Sequence, residues 1–108
     1  MITISSEFNE PVPEWDVALE ALIREETQTL GRPLSIADFQ RLSRVHAIRF
    51  DDLMATLFEL AIRGRWAYQD EQGATVEITR ELYDSLRRNG RIEVADVSDF
   101  TGEWRATA

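Results

Sequence analysis

Between residues 50 and 64 apolar side chains recur at helical spacing without a miss. Phe50, Leu53, Met54, Leu57, Phe58 and Ala61 fall at i, i+3, i+4, i+7, i+8 and i+11, one face of an α-helix. Leu60 and Ile62 widen the stripe, so this helix is expected deep in the core. Gly64 stops it, because glycine tolerates the left-handed conformation that closes many helices. The polar positions are Asp51, Asp52, Thr56 and Glu59, with Arg63 at the end.

The same reading orders the rest of the chain. Ile2 and Ile4 alternate with Thr3 and Ser5, a short edge strand, and residues 7–13 form a linker punctuated by Pro11 and Pro13. Pro13 suits the first turn of a helix whose apolar face is Trp15, Ala18, Leu19, Leu22 and Ile23, with Leu30 extending it and Glu20, Glu25 and Glu26 on the wet side. Gly31 and Pro33 end that helix. Ser35 opens a second one with the S-x-x-D capping pattern, backed by Phe39 and Leu42 and running to about Val45. Residues 65–69 and 75–78 alternate around Asp70, Glu71, Gln72 and Gly73, which predicts a β-hairpin. Thr79 caps a last helix carrying Leu82, Tyr83 and Leu86, ended by Asn89 and Gly90. Residues 92–94 predict one more short strand. Residues 97–108 are expected to form an acidic, aromatic-containing C-terminal tail, ordered only where something covers Phe100 and Trp104; residues 1–96 form the single domain.

The predicted class is therefore α+β, mainly α. Two helices, a short turn at Ile48, the central helix, then Arg63-Gly64-Arg65-Trp66 leading into a hairpin: this order resembles the winged-helix architecture over residues 14–88. The resemblance implies three helices plus a β-hairpin wing, followed here by a further C-terminal helix and a short terminal strand. It is a likeness of architecture and points to no narrower family. It also assigns the central helix to a DNA major groove and the wing to the backbone.

Charge argues against that assignment. The chain of 108 residues carries a net charge of −8, which opposes phosphate polymers and anionic membranes at long range. The groove-reading face begins with Asp51 and Asp52, and the wing tip carries Asp70 and Glu71. All twelve basic residues are Arg. Those that cluster are Arg41, Arg44, His46 and Arg49, with Arg63 and Arg65 flanking the wing. They read either as phosphate contacts or as ordinary partners for Asp38, Asp51, Asp52 and Glu59.

Catalytic chemistry finds little to build on. There is one histidine, no cysteine and no lysine, so thiolate ligands, a thiol nucleophile, a Schiff-base lysine and a Walker lysine are absent from the chain. No H-E-x-x-H or glycine-rich phosphate motif occurs. No enzyme activity, metal or cofactor is expected. With neither a secretory signal nor a membrane span in the sequence, a cytoplasmic location is the expectation.

The leading expectation is a non-enzymatic protein-interaction or regulatory module on an acidic winged-helix scaffold. Its partner would be another protein, or a second copy in a homodimer. The candidate partner-binding residues are Asp51, Asp52, Glu59, Trp66, Tyr68, Phe100 and Trp104; for the aromatic pair Trp66 and Tyr68, packing on the central helix is the competing reading. The rival expectation is a dimeric DNA-binding regulator using Arg41, Arg44, His46, Arg49, Arg63 and Arg65. A third is an acidic mimic of DNA.

Overall fold

A computed structural model describes the backbone of residues 14–107 and the side chains of residues 16–107. The expected strand and linker of residues 1–13 and the side chain of Trp15 lie outside the described residues. Among the described residues the fold holds four α-helices and a three-stranded antiparallel sheet: α1 (Glu14–Leu30), α2 (Ile36–His46), α3 (Phe50–Ile62), β1 (Trp66–Gln69), β2 (Thr75–Val76), α4 (Arg80–Leu86) and β3 (Glu103–Ala106). A short 3-10 helix, Val94–Val97, lies between α4 and β3. The class is α+β, mainly α, and the layout is compatible with a winged-helix-like architecture. No helix among the described residues is long and apolar enough to cross a membrane.

The apolar stripe of α3 does what its spacing predicts. Leu53, Met54, Leu57 and Phe58 are fully buried, and α1, α2 and β1 all pack against this helix. Its end is a Schellman closure: Gly64 at φ +79° lets the Arg65 N–H reach the Leu60 carbonyl at 2.9 Å and the Gly64 N–H reach that of Ala61 at 3.0 Å. Gly64→Ala should therefore cost about 1–2 kcal/mol, the penalty of a left-handed L-residue, read as a shift of the urea midpoint.

The cap of α2 forms, with one change. Asp38 accepts from the Ser35 N–H at 2.8 Å, and the Ser35 hydroxyl donates to the same carboxylate at 3.1 Å. The hydroxyl is thus aimed at the aspartate. Thr79 caps α4 by accepting from the Leu82 N–H at 3.1 Å.

The C-terminal stretch departs from expectation. Residues 97–107 are part of the domain: β3 runs antiparallel to β1 along its whole length, Trp66 opposite Ala106 and Tyr68 opposite Trp104. Leu34 then brackets Trp104 with two reciprocal backbone hydrogen bonds, at 3.0 and 2.8 Å. The sheet order is β2-β1-β3, so the last strand, rather than the hairpin strand, lines the length of β1. The physical reason is the pair of aromatics. Phe58, Tyr68, Phe100 and Trp104 form one cluster with ring centroids 4.8 to 5.9 Å apart, and leaving them wet would forfeit the largest apolar surfaces in the chain. The expected strand at residues 92–94 is replaced by a tight Arg88–Arg91 bridge and the 3-10 helix, with Ile92 buried beneath. Leu30, expected on the buried face of α1, is exposed.

Candidate interaction surface

The helix that the winged-helix likeness would send into a groove is the most enclosed helix among the described residues. No residue from Phe50 to Ile62 is exposed. Its polar side chains are engaged from within the fold. The Thr56 hydroxyl, itself buried, donates to Asp16 of α1 at 2.5 Å. Glu59 accepts two hydrogen bonds from Arg80, at 2.5 and 3.0 Å. Asp51 accepts from Arg49 at 3.2 Å through two oxygens and has Arg91 at 3.7 Å. Of the three carboxylates singled out as a partner face, only Asp52 has no side-chain partner among the described residues, and it too is half-buried.

Four aromatics were expected to contribute to a binding surface. Trp66, Tyr68 and Trp104 are instead core, at 1%, 4% and 0% exposure, and Phe100 is half-buried against Phe58, Tyr68 and Trp104. Alternation along β1 directs Trp66 and Tyr68 to the same face of the sheet, and that face meets α3. Ala67 and Gln69 point the other way.

The basic residues of the rival reading separate into two groups. Arg41 joins Glu26 and Asp38, Arg49 joins Asp51, and Arg65 joins Glu20. Arg44, His46 and Arg63 are exposed, and their side chains make no hydrogen bond or ion pair among the described residues. They do not adjoin: Arg44 and His46 precede α3, Arg63 follows it, and a helix of this length separates its ends by about 20 Å.

Two buried carboxylates organise the arginines, and sequence patterning located only one of them. Asp38, found through its cap, holds Arg32 through two oxygens at 2.8 and 3.1 Å and Arg41 at 2.9 Å. Burial works to raise its pKa, but the hydrogen bonds from Arg32, Ser35 and Arg41 outweigh it and hold the carboxyl far below the usual range. Glu20 was expected on the wet side of α1 and is instead 5% exposed. It accepts from Arg65 at 2.7 and 3.2 Å, from Arg24 at 3.2 Å and from the Trp66 indole N–H at 3.0 Å. Burial opposes its charge, and the bonds from Arg65 and Trp66 leave the net shift downward. Arg24 is its i+4 neighbour, but Arg65 and Trp66, which enclose it, lie 45 and 46 residues away, so helical periodicity carried no trace of them.

The shift on Asp38 predicts a pH dependence. A carboxyl whose native pKa lies below its unfolded value stabilises the fold above the unfolded pKa, and that contribution is lost as pH falls toward the native one. Denaturant midpoints of the wild type should therefore drop from about pH 4 downward, the unfolded aspartate value being about 3.9. Asp38→Asn should flatten that decline and cost roughly 1–3 kcal/mol at pH 7.

No protein-family model, curated protein or solved structure matches the chain. The surface itself is left to indicate what it could hold. Among the described residues no three His, Asp or Glu side chains converge to hold a metal ion. Several concavities open among the described residues. One, of about 450 Å³, lies between Arg49–Asp51 and residues 91–95. A second, of about 400 Å³, lies between the start of α2 and the 3-10 helix. They share Val94 and Ala95 as a ridge, with Val94 43% exposed. A third, of about 380 Å³, opens beside the hairpin. The second and third are bordered largely by apolar side chains, while the first mixes Arg49, Asp51, Arg91 and Glu93 with Phe50, Ile92 and Val94; open grooves of this kind suit a segment of chain more than a reacting small molecule.

Proposed function

We propose that this chain is a non-enzymatic protein-interaction module on an acidic winged-helix-like scaffold, acting as a regulator or as part of an assembly. The observation that carries the reading is the engagement of α3. A helix that reads base edges needs polar side chains free to leave the protein surface. Here Asp51, Thr56 and Glu59 are held by Arg49 and Arg91, Asp16 and Arg80, and no residue of the helix is exposed. With a net charge of −8, the counterion-release term that dominates DNA affinity works against binding. The grooves flanking Val94 and the hairpin give a partner chain apolar surface to bury.

A second reading, a DNA-binding dimer, draws on Arg44, His46 and Arg63, which are exposed and unengaged among the described residues.

Affinity capture from the native cell after exhaustive nuclease digestion separates the two. The interaction reading expects protein partners that survive the nuclease and are lost when Val94 or Glu77 is replaced by a residue of opposite character. Retention that vanishes with the nucleic acid would refute it.

A further inference from the structure

Among the described residues the β2 edge of the sheet is open along its whole length. On the β3 side Leu34 covers the edge at Trp104, pairing with it in both directions. On the other side lies β2, two residues long and exposed at both. The register fixes which backbone groups face outward. Asp70 donates its N–H to Ala74, toward β2, while Arg65 accepts from Thr107, toward β3. Even-numbered residues of β1 therefore bond toward β2. Val76, opposite Tyr68, spends its N–H and C=O on β1, and the N–H and C=O of Thr75 and Glu77 point outward. Neither the Thr75 nor the Glu77 amide has a partner among the described residues.

Side chains follow the same register. Val76 shares the core face with Tyr68, and it stands 37% exposed at the rim of the hairpin groove with Ala61, Ile62 and Ile78 beside it. That groove exists because the chain leaves β1 after Val76: Glu77 and Ile78 do not pair with it. Glu77 and Thr75 point to the opposite face. From Trp66 through Thr79 the chain carries Asp70, Glu71 and Glu77 and no basic residue. On that opposite face Arg105 sits on β3, two strands in from the edge, about 10 Å away at ordinary strand spacing.

We infer that this edge accepts an extended segment of a partner protein, added as a fourth strand beside β2, with apolar and basic side chains alternating. The inference rests on the interaction-module reading and names the partner's chemistry. Alternate residues of such a strand would place an aliphatic side chain in the groove beside Val76 and Ile62, and a lysine or arginine beside Glu77. Main-chain bonds to Thr75 and Glu77 supply the docking, and the alternation supplies the selectivity. The same charges disfavour a second copy: β2 against β2 would set Glu77 and the acidic turn against their equals, a common way for a protein to guard an edge from its own kind.

The test uses the full chain, ¹⁵N-labelled, with three short synthetic peptides and a random DNA duplex as probes. A peptide alternating lysine and valine should bind saturably, shift the Thr75 and Glu77 amides and slow their hydrogen exchange. Peptides alternating glutamate and valine, or lysine and glycine, should bind at least tenfold more weakly. Glu77→Pro removes the outward donor while leaving the Val76 bonds to β1 in place, and should abolish binding. Glu77→Lys, which keeps the backbone intact, should weaken it at least tenfold. Equal binding of the lysine–valine peptide by wild type and Glu77→Lys, or no change at the two amides, overturns the inference and leaves the interaction-module reading standing. Protection of those amides by protein concentration alone identifies a second copy as the occupant and also overturns it. Shifts at Arg44, His46 and Arg63 on adding duplex would remove the reading on which the inference depends.

Discussion

Trp104→Ala will destabilise the protein by about 3–5 kcal/mol, the range for truncating a buried large aromatic. The side chain is fully buried, and its ring lies 5.1 Å from Phe58, 4.8 Å from Tyr68 and 5.9 Å from Phe100. Truncation opens a cavity that this cluster cannot close, because Tyr68 is tethered through its hydroxyl, which accepts from the Gly102 N–H at 2.8 Å. Trp104→Phe should cost far less. Among the described side chains the Trp104 indole N–H is the one buried polar group without a partner, and phenylalanine removes that uncompensated donor while keeping a ring in the cluster. Urea denaturation of the two variants checks both statements. Comparable losses would mean that the tryptophan is held by something other than ring packing.

Gly102→Ala should be nearly as damaging, at about 3 kcal/mol or more. A Cβ at this position would lie 1.9 Å from the Gln69 carbonyl oxygen and 2.8 Å from the Asp70 Cα. Both are backbone atoms at the end of β1, where the hairpin turn is locked by the Asp70 carboxylate accepting from the Gln72 and Ala74 N–H groups at 2.9 Å. Nothing flexible can give way. Relief requires the strand β3 to move off β1, which breaks the Tyr68–Gly102 hydrogen bond and loosens the Trp104 cluster in the same motion. The measurement is again the denaturant midpoint, with near-ultraviolet circular dichroism reporting the aromatic packing. An unchanged midpoint would place the entry to β3 elsewhere.

Local patterning carried much of the fold. The stripe of α3, the Ser35 and Thr79 caps and the Asp70–Gly73 turn all depend on residues within a few positions of each other, and each forms where its spacing puts it. What the pattern lacked was long range. Trp104 looks like a stray aromatic in a polar stretch because its neighbours, Phe58 and Leu34, are 46 and 70 positions away. Once β3 adds to β1, alternation explains it at once: Trp104 is the inward residue of the strand and Glu103 and Arg105 are outward.

The candidate surface was less legible for the same reason. Composition located the charges but could not pair them. Asp51 and Glu59 read as a free acidic face until Arg91 and Arg80 fold across from the far side of the hairpin. Glu20 read as solvated until Arg65 and Trp66 enclosed it. The sharper signal was the absence of any basic residue from Trp66 to Thr79, which marks the hairpin as acidic whatever its neighbours do. Exposed ion pairs of the Arg80–Glu59 kind add little to stability; their consequence here is that they withdraw from solvent the side chains a groove-reading helix would need.

The most direct measurement is fluorescence anisotropy of a labelled random DNA duplex titrated with the full chain across a series of salt concentrations. With α3 enclosed and its acids paired, the expected result is no saturable binding at any salt concentration, down to about 10 mM, where the Debye length reaches roughly 30 Å and long-range repulsion is strongest. Micromolar affinity that weakens steeply as salt rises would contradict it, and would return Arg44, His46 and Arg63 to a phosphate-binding role.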